Sequence, residues 1–173
     1  MAAPQVRRLK LWQDKVDTEV EISGKGPPLV YLHGPWGLAP DRDFVARLAA
    51  ANKVYAPKHP GTSRGDPDAV HVLDSWLDLI VYYGELLDRL ELSAPALVGH
   101  SFGALVAAEF AAAAPRSVGR LVLIEFRKES AWVPIRAEHK MTVRDARMEL
   151  EAEGYRFEGV IDEAQMADVR QYL

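Results

Sequence analysis

The eleven residues Ala96–Val106, ALVGHSFGALV, set a serine between two glycines at the junction of two apolar runs. An apolar run that short, closed by glycine, reads as a buried strand. The apolar run after it, stopped by Pro115, reads as a helix over 102–114. Glycines at 99 and 103 permit a turn too tight for a side chain at either place, and such a turn lifts the Ser101 hydroxyl above the carboxyl edge of a sheet. The pattern G-x-S-x-G alone is weak evidence, because Gly and Ser are common residues. Its position between a strand and a helix is what makes it informative.

Working outward, the flanking chain repeats the same alternation. Residues 6–23 alternate loosely and predict a β-hairpin or two short strands, and GKGPP (24–28) is turn chemistry. LVYLHG (29–34) predicts a buried strand. Asp41 then precedes a helix carrying Phe44, Val45, Leu48 and Ala49 at helical spacing. KVYAP (53–57) is a further strand, and KHPGTSRGDPD (58–68) a loop. A long helix is expected over 72–91, with Leu73, Trp76, Leu77, Ile80, Tyr83, Leu86, Leu87 and Leu90 on or near one sheet-covering face. RLVLIEF (120–126) predicts another strand. Further on, Thr142 can cap a helix over 143–153 that stops at Gly154, YRFEGVID is a fifth strand in the alternating series, and 163–172 a last short helix. Strands alternating with helices predict a parallel sheet covered on both faces.

Composition narrows the function. The 173 residues suit one α/β domain, and a net charge of −4 argues against a phosphate-tracking surface, so no nucleic-acid partner is expected. With zero cysteines there are no disulfides and no thiolate metal sites, which fits the cytoplasm. No apolar run approaches the length of a membrane span, and MAAPQVRRLKLWQDK lacks the apolar stretch of a signal peptide. Phosphate-binding, dinucleotide-binding and H-E-x-x-H motifs are absent from the sequence, so no cofactor or metal is expected.

Three elements, the His33-Gly34 strand end, APKHPG after the next strand and the GHSFG turn, occur in an order that resembles the α/β-hydrolase family over about residues 18–124. The resemblance implies a three-layer, mostly parallel sheet. It also implies acyl transfer on a small-molecule substrate, with Ser101 attacking a carbonyl carbon and the Phe102 N–H as one oxyanion donor. In the family the second donor usually follows His-Gly. Here that residue is Pro35, which has no N–H, so Trp36 N–H takes the role. Trp36 and Phe102 side chains would otherwise line an apolar pocket or pack.

A serine nucleophile needs a base and an acid. Of five histidines, His33 and His100 belong to the motifs and are expected to be packed, while His59 and His71 are expected at the surface. His139 alone follows the serine, in the chain order of a family base. Glu125, at the end of the next strand, is the candidate acid, with Asp162 as the alternative. Some seventy residues follow Ser101, fewer than family members commonly carry, so a shortened core without a lid is expected, with open edge strands that favour self-association.

The segment of about 120–158, with its Glu-Phe-Arg strand end, VPI and HKMT, resembles the C-terminal end of a class I S-adenosylmethionine-dependent methyltransferase. On that reading 1–124 is a hydrolase-like core and 125–173 an atypical tail, and Glu125 and His139 never formed a triad. Methyl transfer itself is not implied. The cofactor loop needs a glycine-rich strand–helix turn, and Gly24 and Gly26 precede no helix. Two expectations stand side by side: an esterase-like serine hydrolase using Ser101, His139 and Glu125, or a non-catalytic scaffold or binding module of the same fold.

Overall fold

The computed structural model describes residues 3–62 and 69–124. The hairpin is there: β1 (Gln5–Leu11) pairs antiparallel with β2 (Val16–Ser23). Then come β3 (Pro28–Leu32), α1 (Arg42–Leu48), β4 (Lys53–Pro57), α2 (Trp76–Arg89), β5 (Ala96–His100), α3 (Phe102–Ala113) and β6 (Arg120–Ile124). The six strands form one sheet in the order β1-β2-β4-β3-β5-β6. β2 meets β4 antiparallel, whereas β4-β3, β3-β5 and β5-β6 are parallel, so the sheet is mostly parallel as the alternation predicts.

Alternation of side chains across each strand builds two cores. On one face Leu29, Tyr31, Val54, Ala56 and Val98 pack with Phe44, Val45 and Leu48 of α1. On the other, Val30, Leu32, Tyr55 and Leu97 pack with Ile80, Tyr83, Leu86 and Leu87 of α2 and with the alanine-rich α3. Small side chains let α3 lie hard against the sheet. That closeness is what brings its first turn to the end of β3.

The long helix begins later than its apolar spacing suggests. A 3-10 turn occupies Ala69–Val72, and α2 starts at Trp76 because Ser75 and Asp78 form a reciprocal capping box. The Ser75 hydroxyl accepts from the Asp78 N–H at 3.2 Å, and the Asp78 carboxylate accepts from the Ser75 N–H at 2.9 Å. Leu77, expected near the buried face, is 63% exposed, because a helix starting at Trp76 turns position 77 outward. No helix among the described residues is long and apolar enough to cross a membrane. The elements expected beyond Ile124, including the helix over 143–153, lie outside the described residues.

Candidate active site

The turn after β5 has the geometry its glycines allow. Ser101 sits at φ +54° and ψ −116°, in a region that L side chains rarely adopt. Its own N–H donates to the Ile124 carbonyl at 2.9 Å, and its carbonyl accepts the Ala104 N–H at 2.9 Å, so both sides of the strained residue are held. A Cβ on Gly99 would lie 2.5 Å from Ala104 Cα, and one on Gly103 would lie 2.7 Å from the His33 carbonyl oxygen. Backbone approaches this close exclude any side chain at either glycine. Ser101 occupies the N-cap of α3 without using its hydroxyl as a cap. The hydroxyl therefore stands at a helix N-terminus, where unsatisfied N–H groups favour a developing negative charge.

The end of β3 arrives beside it. A Cβ built on Gly34 would lie 3.5 Å from the Ser101 Cβ and 3.8 Å from His100 Nδ1. Beyond Gly34 the chain turns at once, the Gly37 N–H donating to the Gly34 carbonyl at 3.2 Å. Pro35 and Trp36 are the two central residues, so the Trp36 N–H is not consumed by the turn's own bond. The Trp36 side chain is 86% exposed rather than packed.

His59 is not at the surface, as its polar loop suggests, but 2% exposed between the ends of β3 and α2. Burial is tolerable because every ring nitrogen is matched. Its Nε2–H donates to the His33 carbonyl at 2.7 Å, which leaves Nδ1 to accept the Tyr83 hydroxyl. The His59 backbone N–H in turn donates to His33 Nε2 at 3.2 Å, and His33 Nδ1–H donates to the Gly34 carbonyl at 2.5 Å. Both rings are thus neutral. Desolvation holds the His59 imidazolium form far down, with the neighbouring His33 adding to it, and desolvation likewise lowers His33. The Phe102 ring closes over His59 at 5.1 Å between centroids and meets Trp76 at 6.1 Å.

Locked neutral histidines make stability depend on pH with a definite sign. Below about pH 6.5 the unfolded chain gains more protons at these two residues than the folded chain does, so stability falls as pH falls. Between pH 7 and 5.5 the loss from His59 is about 1 kcal/mol, and His33 adds to it in the same direction. Urea unfolding at the two pH values checks this, and equal midpoints would mean that the rings titrate alike folded and unfolded.

On the other face of the sheet, Asp41 is 9% exposed. Its Oδ2 accepts from the Tyr31 hydroxyl at 2.9 Å and from His100 Nδ1 at 3.2 Å. Desolvation, then the Asp41 carboxylate, pushes the Tyr31 phenol up. His33 is packed, as its place in the motif suggests, His100 is half-buried, and His71 is exposed. The structure therefore brings together Ser101, the Phe102 end of α3 and the turn containing Trp36. Glu125, His139 and Asp162 lie outside the described residues.

Comparison with known proteins bears on the family and the fold. Residues 29–170 match a family model described as the alpha/beta hydrolase family. The 2-hydroxy-6-oxo-2,4-heptadienoate hydrolase of Pseudomonas putida is 34% identical over 119 residues, covering 63% of this chain and 41% of that protein. A pimeloyl-[acyl-carrier protein] methyl ester esterase of Aromatoleum aromaticum is 39% identical over 101 residues, covering 57% and 36%. The crystal structure of an epoxide hydrolase from Vigna radiata superposes with a TM-score of 0.62 at 22% identity, over 71% of this chain and 38% of that one, which speaks to fold alone. The chain spans about two fifths of the length of the curated relatives it matches. The family match runs on through 120–158, and these comparisons give no support to the methyltransferase resemblance of that segment.

Proposed function

The chain belongs to the alpha/beta hydrolase family, and from that premise we propose that it is a serine hydrolase of esterase-like chemistry acting on a small acyl compound. The observation that carries the proposal is Ser101 itself, held at φ +54° in a strand–turn–helix junction beside the β3 strand end. Strain of that kind costs about 1–3 kcal/mol and persists where the surroundings over-determine it. Other turn residues of the chain also take positive φ, but the ψ of −116° at Ser101 lies outside the left-handed helical region.

In the proposed reaction the Ser101 Oγ attacks the carbonyl carbon while a base takes its proton. His139 is assigned as that base and Glu125 as the acid that orients it, from their order in the chain. Negative charge gathering on the carbonyl oxygen is met by the N–H of Phe102 and that of Trp36. Collapse expels the leaving group with the proton from the base, and water then releases the acyl group by the same steps. The reaction as written draws on side chains, backbone N–H groups and water, and no cofactor. Relatives named as hydrolases of oxo-dienoates and of a methyl ester support an acyl substrate. The lack of cysteine fits work in the cytoplasm.

A fluorophosphonate probe tests the reading directly, since serine attack at phosphorus displaces fluoride and leaves a stable adduct. Wild-type protein is expected to label and Ser101→Ala to remain unlabelled. Labelling of neither would leave the non-catalytic scaffold as the better account, and equal labelling of both would place the reactive group on a residue other than Ser101.

A further inference from the structure

The segment that connects β3 to α1 crosses beside Ser101 and is fastened at two points. At its near end His33 is locked through Gly34 and His59. At its far end Asp41, the residue before α1, is turned inward. It occupies the helix N-cap, yet its side chain makes no capping bond. An aspartate there ordinarily caps, which contributes about 1 kcal/mol. Instead the carboxylate reaches under the sheet edge, where one oxygen accepts from both Tyr31 and His100. Tyr31 lies on the strand that feeds the Gly34–Gly37 turn, and His100 is the residue immediately before Ser101. Gly34 lies against the same His100 ring and against Ser101. One carboxylate therefore joins the strand before the turn, the strand before the serine, and the helix that follows the turn.

We propose that Asp41 is a positioning residue that clamps the 34–37 turn to the Ser101 elbow through its paired hydrogen bonds from Tyr31 and His100. The clamp deepens the reading of Ser101 as nucleophile, and its effect on reactivity rests on that reading, whereas its effect on the turn does not. Displacing an oxyanion donor by a fraction of an ångström leaves ligand binding largely intact but slows reaction, because only the reacting geometry needs the donor in place.

Two measurements on Asp41→Ala and Asp41→Asn separate the possibilities. Hydrogen exchange at the Gly37 amide, whose bond closes the turn, is expected to quicken about tenfold or more in Asp41→Ala, while α2 amides keep their protection. The maximal rate of fluorophosphonate labelling is expected to fall about tenfold or more, with the half-saturating probe concentration little changed. Asp41→Asn keeps an oxygen that accepts both bonds, and is expected to recover both readouts to within about threefold. Should Asp41→Ala fail to fold, Tyr31→Phe removes one of the two bonds and is expected to move both readouts the same way by less. Unchanged Gly37 exchange, exchange that rises equally throughout α2, or unchanged labelling with a loosened turn would each overturn the proposal. If wild-type and Ser101→Ala label alike, the nucleophile reading fails, and Gly37 exchange decides the clamp by itself.

Discussion

Gly103→Ala is expected to destabilise the protein by about 1–2 kcal/mol, although the same exchange in an unencumbered helix would stabilise it. Alanine outranks glycine in helices by about 1 kcal/mol, and Gly103 lies in the first turn of α3. Against that gain stands the backbone of β3. The added Cβ would lie 2.7 Å from the His33 carbonyl oxygen and closer still to Leu32. Neither neighbour is the movable tip of a side chain, so relief requires α3 to lift away from the sheet. Lifting it disturbs the buried contacts of Ala104, Ala107 and Ala111, and overpacking of this kind costs about 1–3 kcal/mol or more. The steric term wins. Gly84→Ala in α2 is the matched control, since its Cβ would meet nothing nearer than the Phe110 ring at 3.8 Å. There the helix preference should prevail, for a gain of up to about 1 kcal/mol. Urea midpoints of opposite sign for the two variants are the expected result. A Gly103→Ala protein as stable as wild type would show that α3 does not rest on the end of β3.

The same contacts explain why the elbow was legible in the sequence. A turn in which two backbones touch must be written in glycine, and apolar runs on either side declare the strand and helix. Local signals of this kind also place the hairpin, β3 to β5 and both covering layers. The capping box at Ser75 and Asp78 was equally local, but the apolar spacing that begins at Leu73 drew the expected start of α2, at 72, four residues early. Hydrophobic period marks a face, and a cap marks an end. Where they disagree, the hydrogen bonds of the cap decide.

Residues whose role depends on distant partners were harder to read. His59 stands in a loop of Pro, Gly, Ser and Asp, and nothing in that composition signals burial. Its place is set by Tyr83, twenty-four residues on, and by the His33 carbonyl, which together satisfy both ring nitrogens. Asp41 carries the ordinary signature of a helix cap, and its partners at 31 and 100 belong to strands that only the sheet topology brings together. The proposed base and acid are harder still to read: His139 and Glu125 are put forward on chain order alone, and proximity to Ser101 is a property of the fold.

Replacing Ser101 by glycine should separate what the elbow does for folding from what it does for chemistry. At φ +54° and ψ −116° a serine holds its backbone in strain of about 1–3 kcal/mol, which glycine does not incur. Glycine also makes the unfolded chain more flexible, returning part of that gain, so a net stabilisation of about 1 kcal/mol is expected. In a chain this size that raises the melting temperature by about 2–4 °C. The backbone bonds that hold the turn, from the Ser101 N–H to Ile124 and from Ala104 to the Ser101 carbonyl, need no side chain and survive. On the proposed mechanism hydrolysis does not. Removing the nucleophile of a serine hydrolase costs about 10⁴–10⁶-fold in kcat, the remainder coming from the oxyanion donors and binding. Ser101→Gly is therefore expected to melt higher than wild type and to lose both labelling and hydrolysis. A variant that melts lower would mean that the backbone strain at Ser101 is not there to be relieved. One that melts higher yet still hydrolyses acyl compounds would place the nucleophile on another residue.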